Sequence, residues 1–372
     1  MVELILETIT PVHVGTGNKY SGSEFVLKDK TLYRVSLDKL LKRLTLEQIE
    51  DLTEQLEDRN FSLTDFLKDK KIALGEIKRY ASGFDGSGTP REISEHIKTN
   101  NRAYIPGSSI KGAIRTAITY KILKDKYSVI DNELKRIKSD SRLMGTVNRN
   151  VNQSPAFKDR RFSKALERAM SSIEGVVLRG YKNDAKYDLL KFLRIIDRSV
   201  TERLSVLTIK SVGMSQEWRS YSQIEAIDKN VILESELALK PIKLSELGLS
   251  NKAQYLDLNY ILNAIYIFAE DLKSLEKEYA ERHNLTKLVE FYTSSEFNNQ
   301  SDSPILRIGA NKGFLSNTID LLIKMNDPDF YRYMRFVVRR SHPNEFPKTR
   351  KYVFENDNPR YPLGWLKLRI GD

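Results

Sequence analysis

The run Tyr104-Ile105-Pro106-Gly107-Ser108-Ser109-Ile110-Lys111-Gly112-Ala113-Ile114-Arg115-Thr116-Ala117-Ile118 decides how this chain reads. It passes from an extended segment through a Pro-Gly turn to two serines of the kind that cap helices. Isoleucines at 110, 114 and 118 then fall on one helical face. A helix start leaves backbone N–H groups without partners, and neighbouring glycines let an anion come close. Gly107, Ser108, Ser109 and Gly112 are therefore a candidate phosphate cradle. Lys111 and Arg115, one turn apart, share a second face, and Gly112 between them leaves room for another backbone. An ordinary capped helix carrying two solvated cations has the same local pattern. A Walker loop is excluded, because Ala113 and Ile114 follow Gly112 where that motif needs Lys and Ser or Thr.

Working outward, 372 residues exceed what one core usually supports, so two domains are expected, at 1–185 and 186–372, each with a helical insertion. No apolar run reaches membrane-spanning length, and Glu3 stands where a signal peptide carries cations. A soluble, cytoplasmic protein with no membrane partner is expected. Zero cysteines exclude disulfides, thiolate zinc sites and cysteine nucleophiles. The four histidines, 13, 96, 283 and 342, show no metal-ligand spacing, so neither a metal nor another cofactor is expected.

The net charge of +11 points to a polyanionic partner. From Glu133 to Arg168 there are ten Lys or Arg against four Asp or Glu, and from Ile305 to Asp372 thirteen against seven. Those two segments hold the excess, and the rest is near neutral. Residues 142–161, with Arg142 and Arg149, are poor in apolar side chains and read either as a surface loop or as a strand of chain threading along a nucleic acid backbone.

Val2 to Thr8 reads as a half-buried strand, followed by the glycine-rich loop Thr10-Pro11-Val12-His13-Val14-Gly15-Thr16-Gly17. Residues 25–35 read as a hairpin and 36–60 as helical, with a capping box from Thr45 to Gln48. Residues 82–90 read as a loop. Further strands are expected at 189–199, 206–210 and 231–239, and a long amphipathic helix at 255–283. Leu306-Arg307-Ile308-Gly309-Ala310-Asn311-Lys312-Gly313-Phe314 repeats the device of the opening stretch, a strand and then glycines and a cation before a helix. Arg307, Lys312 and Gly313 are thus a second candidate cradle. Trp365 reads as core.

The string Ile105-Pro106-Gly107-Ser108-Ser109-Ile110-Lys111-Gly112-Ala113-Ile114-Arg115 resembles the signature of the RAMP superfamily, the RNA-binding subunits of CRISPR effectors. Residues 10–17, 193–199, 307–314 and 362–365 resemble the Csm-type (type III-A) branch that caps the 3′ end of the crRNA. The resemblance implies an α+β fold of two ferredoxin-like domains with helical insertions and glycine-rich loops. It implies a non-catalytic subunit that binds crRNA, contributes to crRNA maturation and antiviral defence, and works beside target single-stranded RNA. The implied partners are the repeating backbone RAMP subunit, the small helical subunit of the Csm complex and host nucleases for 3′ trimming. RNA contacts are expected at His13, Gly15, Gly17, Gly107, Ser108, Ser109, Lys111, Gly112, Arg115, Arg142, Arg149, Arg307, Lys312 and Gly313.

One departure bears on chemistry. Backbone subunits of these complexes cut target RNA with an aspartate in a loop of form Ile-Asp-x-Pro-Val, and the similar stretch 21–29 places Ser23 at the acid, with Glu24 adjacent. The competing reading is a metal-independent endoribonuclease that processes precursor crRNA with His13 as general acid or base. Neither a second histidine nor a Tyr–Lys pair is expected to assist His13.

Overall fold

The computed structural model describes residues 1–58, 61–86, 88–150, 159–213, 221–240, 243–339, 346–347, 349–355 and 358–371, with backbone alone at 150 and 335–339. The strands are β1 (Val2–Thr8), β2 (Gly15–Ser21), β3 (Phe25–Lys28), β4 (Thr31–Val35), β5 (Lys78–Asp85), β6 (Glu92–His96), β7 (Lys98–Thr99), β8 (Arg102–Ala103), β9 (Leu193–Asp197), β10 (Leu204–Val212), β11 (Tyr221–Ile227), β12 (Ile232–Leu239), β13 (Ile305–Arg307), β14 (Arg350–Glu355), β15 (Asn358–Pro362) and β16 (Trp365–Ile370). The helices are α1 (Leu37–Leu41), α2 (Leu46–Leu56), α3 (Leu63–Asp69), α4 (Leu74–Ile77), α5 (Gly107–Asp125), α6 (Ser128–Ser139), α7 (Ser141–Asn150), α8 (Arg160–Leu178), α9 (Leu258–Arg282), α10 (Thr286–Thr293), α11 (Asp320–Asn326) and α12 (Pro328–Arg339).

The first strand organises the first sheet. β1 alternates Leu4, Leu6 and Thr8 inward with Glu3, Ile5 and Glu7 on the opposite face, and it pairs antiparallel with β12 on one side and β16 on the other. The sheet order is β13-β16-β1-β12-β9. Without the edge strand β13, this is the fourth, first, third and second strand of a βαββαβ unit, with α5 in the first crossover and α9 in the second. That is the ferredoxin-like arrangement. Ile110, Ile114 and Ile118 of α5 are fully buried in one core with Leu4, Leu6, Leu233, Leu237 and Phe268. Trp365 is fully buried and meets Phe297 edge-on at 4.9 Å.

The second sheet runs β2-β6-β11-β10-β5-β4-β3, with β14 paired to β10 and β15 to β14. Both sheets take strands from either side of residue 185, so the two halves of the chain interlock. Helices α1 to α4 form an insertion with its own core, in which Leu40, Leu52, Phe66 and Ile77 pack against Val26 and Val35 of the hairpin. Helices α6 to α8 form a second insertion, between α5 and β9. The α+β class, ferredoxin-like strand order, insertions and glycine loops match the expected architecture.

Local expectations differ at five places. The N-cap of α5 is Pro106, whose carbonyl accepts from Ser109 N at 2.9 Å, so Ser108 and Ser109 lie within the first turn. Residues 82–85 continue β5, because Gly83 lets the backbone run close to Ser205 of β10. Residues 141–150 are helical, with Leu143 and Val147 buried, and α8 begins at Arg160. Positions 151–158 lie outside the described residues. Residues 189–192 are a 3-10 turn before β9. The 307–314 segment leads into a 3-10 turn, Leu315–Asn317, and only then into the short helix α11.

Candidate nucleic-acid interface

The two glycine-rich loops predicted from opposite ends of the chain meet. Ala310 N donates to His13 O at 2.8 Å, Gly364 N to Pro11 O at 2.9 Å and Ile308 N to Gly364 O at 2.8 Å. Glycine is required at this junction. Gly309 has φ +77° and Gly364 φ +85°, and a Cβ on them would stand 2.4 Å from His13 O and 2.1 Å from Ile308 O. Outward from it, Gly15, Thr16 and Gly17 are exposed at the irregular start of β2, where the register against β6 shifts, and Ala310 and Gly313 are exposed on the other loop. Gly313, at φ +88°, has open space where a side chain would be.

His96 ties this junction to the segment that enters α5. Its Nδ1 accepts from Val14 N at 3.2 Å, which makes Nε2 the donor to Tyr104 O at 3.1 Å and fixes a neutral tautomer. Burial holds its pKa down to about 3. His13 donates from Nδ1 to Glu225 O, and burial lowers its pKa too.

Beneath the loops lies a group the sequence did not reveal. The Glu225 carboxylate, fully buried, accepts from Tyr20 OH at 2.8 Å, Tyr80 OH at 2.7 Å, His96 N at 3.0 Å and Lys98 Nζ. Burial, reinforced by the Glu225 charge, raises both tyrosine pKa values, and burial lowers that of Lys98. The His13 and His96 rings are 6.0 Å apart. The view of His13 as isolated is thus corrected, since His96 stands beside it, Lys98 acts on it electrostatically, and Glu225, whose backbone carbonyl it bonds, gathers two tyrosines on its carboxylate. All are buried, the histidines are neutral, and the Glu225 carboxylate, both tyrosine hydroxyls, His13 Nδ1 and both nitrogens of His96 are bonded inside the protein. The arrangement pins β2, β5, β6 and β11 together and supports the loop above. An acid at an apolar position, as in Ile224-Glu225-Ala226-Ile227, was its one sequence signal.

Around α5 the expected residues divide. Gly107 N donates to the Asp197 carboxylate of β9, the amide that the sequence reading offered to a phosphate, and a Cβ there would meet Ile195 O at 2.5 Å. The close backbone approach is therefore at Gly107, whereas Gly112 faces open space. Arg115 reaches Asp188 at 3.0 Å and also pairs with Glu174, so its charge is matched. Ser108 and Gly112 are exposed, and Lys111 is half-buried with Asp188, Arg115 and Arg194 as charged neighbours. Arg142 and Arg149 are exposed on α7, which packs against α6 and α8.

Arg307 and Lys312 are buried. Arg307 donates to Leu363 O at 3.0 Å and Ser316 Oγ at 3.3 Å and lies 3.8 Å from Glu276, which also binds Arg350 at 3.0 Å. Lys312 Nζ donates to Arg307 O, and burial with the Arg307 charge brings its pKa down to about 8. This loop therefore offers backbone rather than side-chain charge to the outside.

At the loop similar to the cutting loop, Glu24 pairs with Arg34 at 2.7 Å and accepts from Ser21 N at 3.1 Å, while Ser23 Oγ lies 2.9 Å from Ser21 Oγ. Among the described residues no cluster of acids and histidines is arranged to hold a metal ion, and no helix is long and apolar enough to cross a membrane.

Comparison with known proteins agrees with this geometry. The RAMP superfamily model matches residues 5–202. The protein named CRISPR system Cms protein Csm5 of Methanocaldococcus jannaschii is 23% identical over 99% of this chain and 89% of its own length. The protein of the same name from Streptococcus thermophilus is 30% identical over 31% of this chain and 37% of its own. A chain in the cryo-EM structure of a type III-A Csm-crRNA-target RNA ternary complex superposes with a TM-score of 0.72 at 21% identity, covering 99% of this chain and 100% of that one. The crystal structure of T.onnurineus Csm5 gives 0.67 at 21% identity, covering 97% and 99%. With the signature helix in its ferredoxin-like setting and the family matched over more than half its length, this chain belongs to the RAMP superfamily.

Proposed function

We propose that this protein is the crRNA-binding subunit of a type III-A Csm complex, present once per complex and seated at the 3′ end of the guide without cutting RNA itself. The observation that carries the reading is the junction of the 13–17 and 309–313 loops, which presents exposed glycine backbone on one side of the molecule. His96 holds it against the entry to α5, near Lys111. Backbone amides and scattered cations without base-reading side chains suit phosphates, so the recognition is of RNA backbone. Likeness to Csm5 proteins over nearly the whole chain supports the place in the assembly. One face docks on the last repeating RAMP subunit, the small helical subunit lies alongside, and target RNA pairs with the guide nearby. Host nucleases trim the 3′ end that this subunit leaves exposed.

The test is crosslinking and RNA sequencing of the purified complex. Crosslinks from the 13–17, 107–111 and 309–313 segments to the 3′ portion of the guide, at one copy per guide, are expected. Crosslinks confined to the 5′ tag, or several copies per guide, overturn the assignment.

A further inference from the structure

The basic charge of the second helical insertion is unused by the site above, and its placement is ordered. Along α8, Arg161, Lys164 and Arg168 lie on one stripe, Glu167 and Glu174 on the next, and Phe162, Leu166, Ala169 and Ile173 on the buried face. Two cavities open along the cationic stripe and share Arg168. The first, about 390 Å³, is walled by Arg142, Arg161, Lys164 and Arg168. Its two acids are turned to other work. Asp140 accepts from Leu143 N at 2.9 Å at the start of α7, and Asp159 from Arg161 N at 2.7 Å at the start of α8. None of the four cations makes an ion pair among the described residues. The second cavity, about 720 Å³, continues past Ser172 and Gly175 to Arg179, Asn183 and Lys252. There Lys252 Nζ donates to Val176 O at 2.6 Å. Beyond it stands Tyr181, 71% exposed, one side of its ring against Gly248.

We propose that this groove is a second RNA track, which holds a single-stranded segment by its phosphates along α8, apart from the glycine-loop face. From Arg161 to Arg179 the helix rise gives a length of roughly 27 Å, enough for several nucleotides. Three cations over the first two turns of the helix, small residues beyond them at Ser171, Ser172 and Gly175 and an exposed ring at the far end supply what a sequence-independent single-strand site needs: charge for the backbone and a platform for a base. Among the described residues the wall carries one large exposed apolar side chain, Val176, beside its unpaired cations, which favours a charged strand over a protein partner. The proposal rests on the chain being an RNA binder but not on which face meets the guide.

The test is titration of the full chain with a fluorescein-labelled oligouridylate over a range of salt concentrations. The triple variant Arg161→Glu, Lys164→Glu, Arg168→Glu is compared with Lys111→Ala and with Tyr181→Ala, which leaves the charge alone. Charge reversal should weaken binding about tenfold or more and lower the salt slope by about 2, the share of three single-strand phosphate contacts. Tyr181→Ala should weaken binding with the slope unchanged. The proposal is overturned if the reversal variant keeps wild-type affinity and slope while Lys111→Ala loses affinity. It is equally overturned if the variant binds RNA normally yet fails to enter the complex, which would make the groove a protein-docking surface. Failure of the unmodified chain to bind RNA at all would bring down the RNA-binding reading as a whole.

Discussion

Ala310 N donates to His13 O at 2.8 Å, so two glycine loops almost three hundred residues apart in sequence are one structure. Beside this bond the backbone of Gly309 runs at φ +77° with His13 O where a Cβ would sit, and Gly364 repeats the situation against Ile308 O. Gly309→Ala and Gly364→Ala should each cost about 2 kcal/mol or more, through the positive φ and the backbone clash together. Gly313→Ala, in open space, should carry only the smaller conformational cost. Thermal unfolding of the three variants checks the ranking, and equal losses would contradict it.

Much of this was legible in the sequence. Alternation in 2–8 and the isoleucines at 110, 114 and 118 gave β1 and the buried face of α5, because periodicity reports which face is covered. Gly313 marked a loop that lies at the surface, whereas Gly15 and Gly17, also exposed, belong to strand β2, and Gly309 is half-buried at the junction. What periodicity cannot report is the partner. Arg115 and Arg307 read as display charges, yet each is spent on acids distant in sequence, Asp188 and Glu276. His96 and Glu225 were passed over for the same reason, since their roles depend on strands meeting through the second sheet.

Lys111 and Arg115, alike in sequence, should separate in experiment. Arg115 ties α5 to Asp188 and to Glu174 of α8, and its loss leaves a mostly buried carboxylate short of one partner. Arg115→Ala should lower stability by about 2 kcal/mol, moderated by the second pairing of Asp188 with Arg179. Lys111→Ala should unfold like the unmodified chain and bind RNA more weakly. Denaturant melts and RNA titration of both variants decide this, and normal RNA binding by Lys111→Ala would leave α5 a purely structural helix.

Acid should loosen the glycine junction. An unfolded histidine takes up a proton near pH 6.5, whereas His96 in the fold does so only near 3. Between these values the unfolded chain binds more protons, so the contribution is complete above pH 6.5 and is lost as pH falls. His13, also lowered, acts in the same direction, facing Glu225 and Lys98. A loss of about 1 kcal/mol from His96 alone is expected by about pH 5.5. His96→Gln, which keeps an amide donor for Tyr104 O, should flatten the profile between pH 7.5 and 5.5. An unchanged profile in that variant would assign the acid sensitivity elsewhere.

RNA should survive incubation with the unmodified protein, with or without a divalent metal. On the resemblance of residues 21–29 to a cutting loop, Ser23 would offer a hydroxyl in place of the acid. The neighbouring Glu24 is held by the Arg34 guanidinium, whose side chain is only 8% exposed, so it is not free to swing toward a substrate. The other route, general acid–base cleavage by His13, needs an imidazole that reaches the ribose and titrates near neutrality. His13 is 4% exposed, donates its Nδ1–H in a hydrogen bond to Glu225 O and is kept neutral by burial. Ser23→Asp would put one carboxylate at the rim of the wide cleft between residues 21–27 and the α2–α3 connection. Only weak, metal-dependent cutting is expected from it, because Glu24 stays paired. Gel analysis of labelled RNA with the unmodified protein, Ser23→Asp and His13→Ala separates the cases. Strong metal-free cutting that vanishes in His13→Ala, in protein that still melts cooperatively, would mean that the loops open to expose the histidine and that the subunit processes its own guide.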